Sequence, residues 1–359
     1  MVKSLMQKAG DGLEESKSNT THSNENIEQS IGSLSVHRSP HRIIRTTDDH
    51  MSYQGGTHWS AILENIRDIQ DFLEPETDTI ENPTRPYAEN ASKCPDIAIN
   101  THRALTLADV FETLPPRPQV DRILYVYFSA KDTRNPIIHS KKINREYETF
   151  WADPSSMSFL WISLLFSVLY IGSCFERAMS AGVPDSVDAS LQSQFLTRAA
   201  EALVTGGYQK ARPYSVEAVL SFAYCKFLQK EDPDADACMV MGIAARLALR
   251  MGYHRDPRRF PNLSPFEGEL RRRVFFPVET FDLLLSFQAG LPPIINEEEC
   301  DIDPPRNLSD EDFDEDCTEL LPSRPPVEAT SMPYFHYKSV FAKTFRRVMR
   351  HALSVKSPP

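Results

Sequence analysis

The sequence predicts an all-α fold, with a multi-helix domain that follows a disordered N-terminal tail. Apolar residues recur at three- and four-residue steps from about Val120 to Gln288, with helix start and stop signals between the segments. Strand signals are scarce beyond short β-branched runs that fit helices equally well. Residues 1–56 are rich in Ser, Asn, Thr and Glu and poor in aromatics, a composition that does not offset the entropy cost of ordering.

The chain divides into four predicted segments. After the disordered residues 1–56, residues 57–75 are predicted to form one amphipathic helix that needs a partner surface. Its apolar positions are Trp59, Ile62, Leu63, Ile66, Ile69, Phe72 and Leu73. Residues 76–100 form a polar linker that contains proline. Residues 101–359 form the helical domain, which we expect to be truncated because its last predicted helix ends abruptly.

The cysteines favour a reducing compartment. None of the six forms the C-x-x-C pairs of zinc fingers or redox motifs, and no secretory signal precedes them. They are Cys94, Cys174, Cys225, Cys238, Cys300 and Cys317. We therefore expect free thiols and no metal or cofactor in this chain.

The net charge of -11 lies in one segment. Residues 296–319 hold twelve Asp and Glu against Arg306 alone, so the remainder is neutral. Without a net positive field, we expect the chain not to hold nucleic acid unaided. An EF-hand calcium loop would need Gly at Glu315 and Glu at Leu321, so a solvated loop is favoured over a metal site. An acidic activation patch is a weaker alternative.

A charge-free stretch from Pro154 to Phe175 is long enough to span a bilayer. It contains six serines and lacks a lysine-rich flank that would orient insertion. We favour a helix buried inside a helical core over a transmembrane span.

The tetrapeptide His254 to Pro257 resembles the start of a kinase catalytic loop, but Pro261 occupies the position where that loop needs Asn. Gly252 supplies a left-handed helix cap, and Pro257 prevents helical continuation. The pattern predicts a corner between two helices, with Asp256 accepting backbone N–H bonds.

The helix after this corner has clear start signals. Ser264 is the predicted N-cap and Pro265 the first helical residue. Spacing predicts ion pairs from Glu267 to Arg271 and from Glu269 to Arg273. Pro277 is expected to kink the helix near Arg273. The three arginines 271–273 could bind phosphate, but a solvated helix face is favoured.

Four blocks, "GIAARLALRMGYHRDP", "SPFEGELRRRVFF", "ETFDLLLSFQAGLPPII" and "DIDPPRNLSDED", resemble in order and spacing the fungal-specific transcription factor domain of zinc-cluster regulators. The resemblance extends over about residues 100–350. The matching positions are Gly242, Ala244, Arg246, Ala248, Gly252, His254, Arg255, Asp256, Arg271, Arg272, Arg273, Phe275, Phe276, Asp282, Ser286, Gly290 and Pro292. The aromatic pair is usually tryptophan in the family, and Pro277 is a further departure.

This resemblance implies a nuclear transcription regulator whose helical domain relays an effector or partner signal. The family's zinc cluster needs cysteine spacings that this chain lacks, so zinc is expected only in a longer form with an N-terminal cluster. The opening residues suggest a chain that begins at an internal Met1. DNA contact is then indirect or made through that absent domain, and a membrane role is not expected.

Two functions stay open at this stage: a regulator, or an interaction protein that heterodimerises with intact zinc-cluster regulators and modulates them. Homodimers and a small-molecule effector are compatible with both. No nucleophile lies beside an orienting carboxylate in a recognisable frame, so we expect no enzyme and no catalytic residue. Arg246 is predicted to pair with a core carboxylate such as Asp282, and His254 to be a hydrogen-bonded turn residue.

Overall fold

The structure is a computed structural model. It describes residues 43–47, 50–54, 62, 104–130, 136–179, 189–229, 235–325, 327–328, 330 and 332–354. The α-helices in these residues are α1 Leu107–Thr113, α2 Arg117–Ser129, α3 Ser140–Ala152, α4 Phe159–Met179, α5 Ala189–Gly206, α6 Ser215–Gln229, α7 Ala235–Arg250, α8 Pro265–Ala289 and α9 Met332–Leu353. The predicted all-α domain is confirmed.

A short antiparallel hairpin precedes the helices. Strands β1 Ile43–Thr47 and β2 His50–Gln54 pair along their full length. Both strands lie within the predicted tail 1–56, and β1 contains four β-branched residues, which favour extended backbone. The rest of 1–56 and the linker 76–100 lie outside the described residues. Of the predicted helix 57–75 only Ile62 is described, and it is helical.

Helix α4 forms the centre of the domain. It packs against α2, α5 and α6, and residues 160–173 are buried without interruption. Within the described part of the chain, α4 is the one helix long and apolar enough to cross a membrane, but 78% of its most apolar window is buried inside the protein. The prediction of a buried core helix is confirmed, because neighbouring helices cover it on all sides.

Two of the three buried serines of α4 form hydrogen bonds inside the core, whereas the hydroxyl of the third, Ser167, has no hydrogen-bond partner among the described residues. The Ser163 hydroxyl donates to the Ala199 carbonyl of α5 at 2.8 Å. The Ser173 hydroxyl donates to the Tyr170 carbonyl at 2.7 Å and accepts from the Gln192 amide at 2.9 Å. These bonds offset the cost of burying the Ser163 and Ser173 hydroxyls in the apolar core.

Local chemistry sets the helix ends, and the predicted start of α8 is confirmed. Ser264 and Glu267 form a reciprocal capping box at the start of α8, and Pro265 is its first residue. Gly207 follows α5 with φ +66°, and Gly290 follows α8 with φ +68°. Pro277 lies inside α8 without ending it.

Helices α7, α8 and α9 pack in sequence outward from α6. Helix α9 contacts α8 through a small apolar cluster of Leu283, Ala342 and Met349. Arg346 of α9 is buried and pairs with Glu279 of α8 at 3.2 Å. Contact between the last helix and the domain thus combines apolar packing with one shielded ion pair.

Close packing of α4 against α2 generates a stability prediction. A Cβ at Gly172 would lie 2.8 Å from both the side chain and the carbonyl oxygen of Ile123. We expect Gly172→Ala to lower the free energy of unfolding by about 1–3 kcal/mol, because overpacking outweighs the gain in helix propensity. The matched control is Gly242→Ala, where a Cβ meets only the end of the Ile294 side chain at 3.2 Å. Equal urea midpoints for the two variants would contradict the prediction.

Candidate functional site

The His254 to Pro257 segment is a corner between α7 and α8. Gly252 has φ +74°, and the Tyr253 N–H donates to the Ala248 carbonyl at 2.9 Å, which ends α7. Asp256 caps a 3₁₀ turn by accepting the Arg258 backbone N–H at 2.9 Å. The predicted role as a joint is therefore confirmed.

His254 is held mainly by its backbone. Its carbonyl accepts the Asp301 N–H at 3.1 Å, while its Nδ1 atom is shielded from solvent and has no hydrogen-bond partner among the described residues. Burial and the nearby Arg255 lower the pKa of His254, so the ring is neutral near pH 7. The prediction of a hydrogen-bonded turn residue holds for the main chain and not for the ring.

Asp301 connects the corner to the acidic segment. Its carboxylate accepts the Asp256 N–H at 2.8 Å and pairs with Arg255 at 3.0 Å and Arg259 at 2.7 Å. These partners hold the pKa of Asp301 well below its usual range. The corner is therefore fixed from outside by a residue about 45 positions later in the chain.

The expected solvated face on α8 is wrong for two of its three arginines. Arg272 and Arg273 are buried, as is Glu269 one turn earlier. Glu269 lies 3.4 Å from Arg272 and 3.8 Å from Arg273, which confirms the predicted Glu269 to Arg273 pair. Glu267 instead caps α8. Charges at helical spacing become buried here because other segments supply further partners.

Arg271, the third arginine, lies partly buried over a second polar cluster. Its guanidinium is 4.6 Å from the centre of the Tyr253 ring and donates to the Met251 carbonyl at 2.9 Å. The Tyr253 hydroxyl donates to the Glu217 carboxylate at 2.9 Å, and burial raises the pKa of Glu217. Arg271 thus fastens α8 to the end of α7.

The acidic segment is not the solvated loop that its composition predicts. Asp310 pairs with Arg273 and accepts the Ser140 N–H of α3 at 2.8 Å, while Phe313 is buried. Arg273 also donates to the Leu308 carbonyl at 2.6 Å. Part of the segment is exposed, but its Asp310 carboxylate pairs with the buried Arg273 of α8. The spacing of residues within the segment cannot reveal this partner, because it lies elsewhere in the chain.

A pH dependence follows from the Asp301 contacts. We expect Asp301→Asn to lower the melting temperature at pH 7, because the charge-assisted bonds at the corner are lost. The folded pKa lies below the unfolded value of about 3.9. The stabilisation is therefore present above that value and is lost as the pH falls through the folded pKa.

Thermal melts at several pH values check this prediction. The difference between wild type and Asp301→Asn should stay constant from neutral pH down to about 4 and shrink only as the pH falls further toward the folded pKa of Asp301. The exposed Asp316, in the same acidic segment, provides the control Asp316→Asn. A difference that stays constant down to strongly acidic pH would contradict the assignment.

A cavity of about 670 Å³ lies between α7, α8 and the loop that follows α8. Its wall is mainly apolar, with Met241, Leu247 and Leu285 among the lining side chains. Five of the sequence-predicted motif residues converge on it: Gly242, Arg246, Asp282, Ser286 and Pro292. A cleft of this size and character suits a small organic molecule.

The predicted ion pair between Arg246 and Asp282 is wrong. Arg246 is exposed at the cavity and has no ion pair within 4.0 Å in the described part of the chain. Asp282 is buried, and its carboxylate accepts the backbone N–H groups of Ile294 at 3.2 Å and Ile295 at 2.8 Å. Two backbone N–H groups satisfy the Asp282 carboxylate, and the Arg246 side chain is exposed to solvent.

The loop after α8 links the cavity to α9. Ile294 lines the cavity, and the next carbonyl, of Ile295, accepts a hydrogen bond from buried Arg346 at 3.0 Å. Arg346 also pairs with Glu279 on α8. A shift of this loop would therefore change both the cavity wall at Ile294 and the hydrogen bond from Arg346 of α9.

The remaining motif residues have structural roles. Gly252, His254, Arg255, Asp256 and Arg272 form the corner, where Arg272 lies 3.6 Å from Asp256. Phe275 is buried in the main core, and Gly290 caps α8. Sequence reasoning missed Glu269, Asp301 and Arg346 as central residues; their only local signal was the helical spacing of Glu269 and Arg273.

The different environments of Arg246 and Asp282 generate a paired prediction. Asp282→Ala should lower the free energy of unfolding by about 1–3 kcal/mol, because it leaves the buried N–H of Ile295 and the partly buried N–H of Ile294 without an acceptor. Arg246→Ala should change it by less than about 0.5 kcal/mol, as surface substitutions do. Chemical denaturation of both variants checks this, and similar losses for the two would restore the ion-pair interpretation.

Fold and cavity together define an all-helical domain with a mainly apolar cavity between two of its helices. In the residues that the structure describes, no group of three or more His, Cys, Asp or Glu could hold a metal ion. Residues 124–354 match the profile of the fungal specific transcription factor domain. The chain belongs to this family of fungal zinc-cluster transcription regulators, as the sequence blocks predicted.

Similar proteins agree with this membership. The Zn(2)-C6 fungal-type transcription factor pigI of Monascus ruber is 36% identical over 312 residues, which cover 86% of this chain and 38% of pigI. The Zn(2)-C6 fungal-type transcription factor mpsB of Macrophomina phaseolina is 35% identical over 326 residues, covering 86% of this chain and 44% of mpsB.

A third relative is the Fusarisetin A cluster transcription factor fsa6 of a Fusarium species, 30% identical over 340 residues, covering 91% of this chain and 45% of fsa6. The chain spans less than half the length of these curated relatives. No solved structure matches it significantly.

Proposed function

We propose that this chain is the regulatory part of a nuclear transcription regulator that controls the genes of one dedicated cluster. The observation that carries the proposal is the family match across 124–354, which covers the cavity, the corner and α9. The name of the relative fsa6 assigns it to the fusarisetin A cluster, which supports the restriction to one cluster. DNA contact is assigned to a separate domain, since this chain lacks the spaced cysteines of a zinc cluster.

The helical domain then acts as a receiver of a signal. The cavity between α7 and α8 offers a place for an effector, and the loop at Ile294 connects that cavity to α9. Because one wall of the cavity is also a support of α9, ligand binding and the position of α9 are energetically linked. This arrangement suits regulation better than catalysis, and we assign no catalytic residue.

A second candidate function is an interaction protein that heterodimerises with intact zinc-cluster regulators and modulates them. One observation favours it: α9 exposes Tyr337, Val340, Phe341 and Val348, which are spaced at helical intervals. An apolar stripe of this kind on a surface helix suits packing against another helix. Part of the charge of the acidic segment is engaged with buried arginines, and the helix predicted at 57–75 lies outside the described residues.

Deletion of the gene in its host tests the leading function. We expect the transcripts of a contiguous group of genes to change together, and restoration of the gene to reverse the change. RNA sequencing of deletion, restored and parental strains measures this. Should the transcript change require an intact zinc-cluster relative that co-purifies with the chain, the second function is favoured. Transcript levels that are the same in all three strains would contradict both.

A further inference from the structure

The charges around the α7/α8 cavity are unequal. Three charged side chains line it: Arg246, Arg250 and Asp282. Arg250 donates to the Gln209 carbonyl at 2.9 Å, a neutral acceptor that leaves its positive charge uncompensated. Neither arginine has an ion pair in the described residues, so the cavity has an excess of positive charge.

Asp282 does not neutralise this excess at the ligand surface. Its carboxylate points to the Ile294 and Ile295 backbone N–H groups, so both oxygens are already hydrogen bonded. Burial raises the pKa of Asp282, while the charge of Arg346 and, beyond ion-pair distance, that of Arg246 favour its ionised form. The guanidinium of Arg246 therefore keeps its donors available for a group inside the cavity.

The rest of the wall is apolar. Cys238, Met239, Ile243, Leu247, Leu285 and Ile294 supply most of the lining, and Met239 and Ile294 are exposed at the cavity. Exposed apolar side chains of this kind gain free energy when a ligand covers them. A ligand that fits both features has an apolar body and one negatively charged end.

We propose that the α7/α8 cavity binds an amphipathic organic acid, with the ligand carboxylate on Arg246 and its apolar body against α7, α8 and Ile294. The assignment deepens the proposed effector function and depends on it. Arg246 is then the specificity-determining residue. A guanidinium recognises a carboxylate through two parallel hydrogen bonds, which a neutral group of the same size cannot replace.

A matched pair of fluorescent probes tests this on the full chain. The probes are 1-pyrenebutyrate and its primary amide, which share an apolar body and differ in charge. Fluorescence anisotropy titrations measure the dissociation constant of each. We expect the acid to bind about tenfold more tightly than the amide, a value that allows for the partial exposure of Arg246.

Three variants locate the effect. Arg246→Gln should bring the affinities for acid and amide to within about twofold of each other, because only the charged end loses its partner. Arg246→Lys should retain part of the preference for the acid. The control Arg347→Gln removes an exposed arginine of α9 that does not line the cavity, and it should leave the preference unchanged. Melting temperatures of all variants show whether each is folded.

The proposal is overturned if the wild-type chain binds neither probe, binds both equally, or keeps its preference for the acid in Arg246→Gln. Transcript analysis of the deletion strain separates this failure from that of the proposed function. If the transcripts change together but the two probes bind equally, the proposed regulatory function stands and the proposal of an organic-acid ligand is wrong.

Discussion

The buried carboxylate of Glu269 is the interaction on which the surrounding structure depends. It accepts the Arg306 backbone N–H at 2.9 Å and lies between Arg272 and Arg273 of its own helix. Those arginines in turn reach Asp256 at the corner and Asp310 in the acidic segment. A single buried carboxylate would be costly alone, and burial does raise its pKa. The surrounding donors compensate for that cost, so α8, the corner and the acidic segment are mutually dependent.

This network positions the candidate site without entering it. It fixes the N-terminal half of α8, whereas the cavity lies along the C-terminal half, at Asp282, Leu285 and Ser286. Beyond that half, the loop at Ile294 is held by only a few bonds, from Asp282 and from Arg346. The domain therefore combines a half of α8 held by a network of charges with a half held mainly by apolar packing.

Local signals were sufficient for the helices and their ends. Gly252 and the Ser264 to Glu267 capping box could be predicted because the chemistry that ends or starts a helix lies within a few residues. Burial of Arg273 could not, because its partner Asp310 is 37 residues away in the chain. Arg246 and Asp282 illustrate the same limit. The sequence predicted that both lie at one site, but Asp282 accepts hydrogen bonds from the loop after α8, and residue spacing does not reveal the path of that loop.

The mutual dependence of Asp256, Glu269, Arg272, Arg273 and Asp310 also bears on how this domain evolves. Removal of one charge leaves its partner as an unpaired buried charge, so a single substitution is destabilising even when the new side chain fits the space. Viable changes must then arrive in pairs or larger sets. Across descendants of a common ancestor, these positions should change together, while the cavity wall, whose side chains form fewer polar contacts, is freer to diversify.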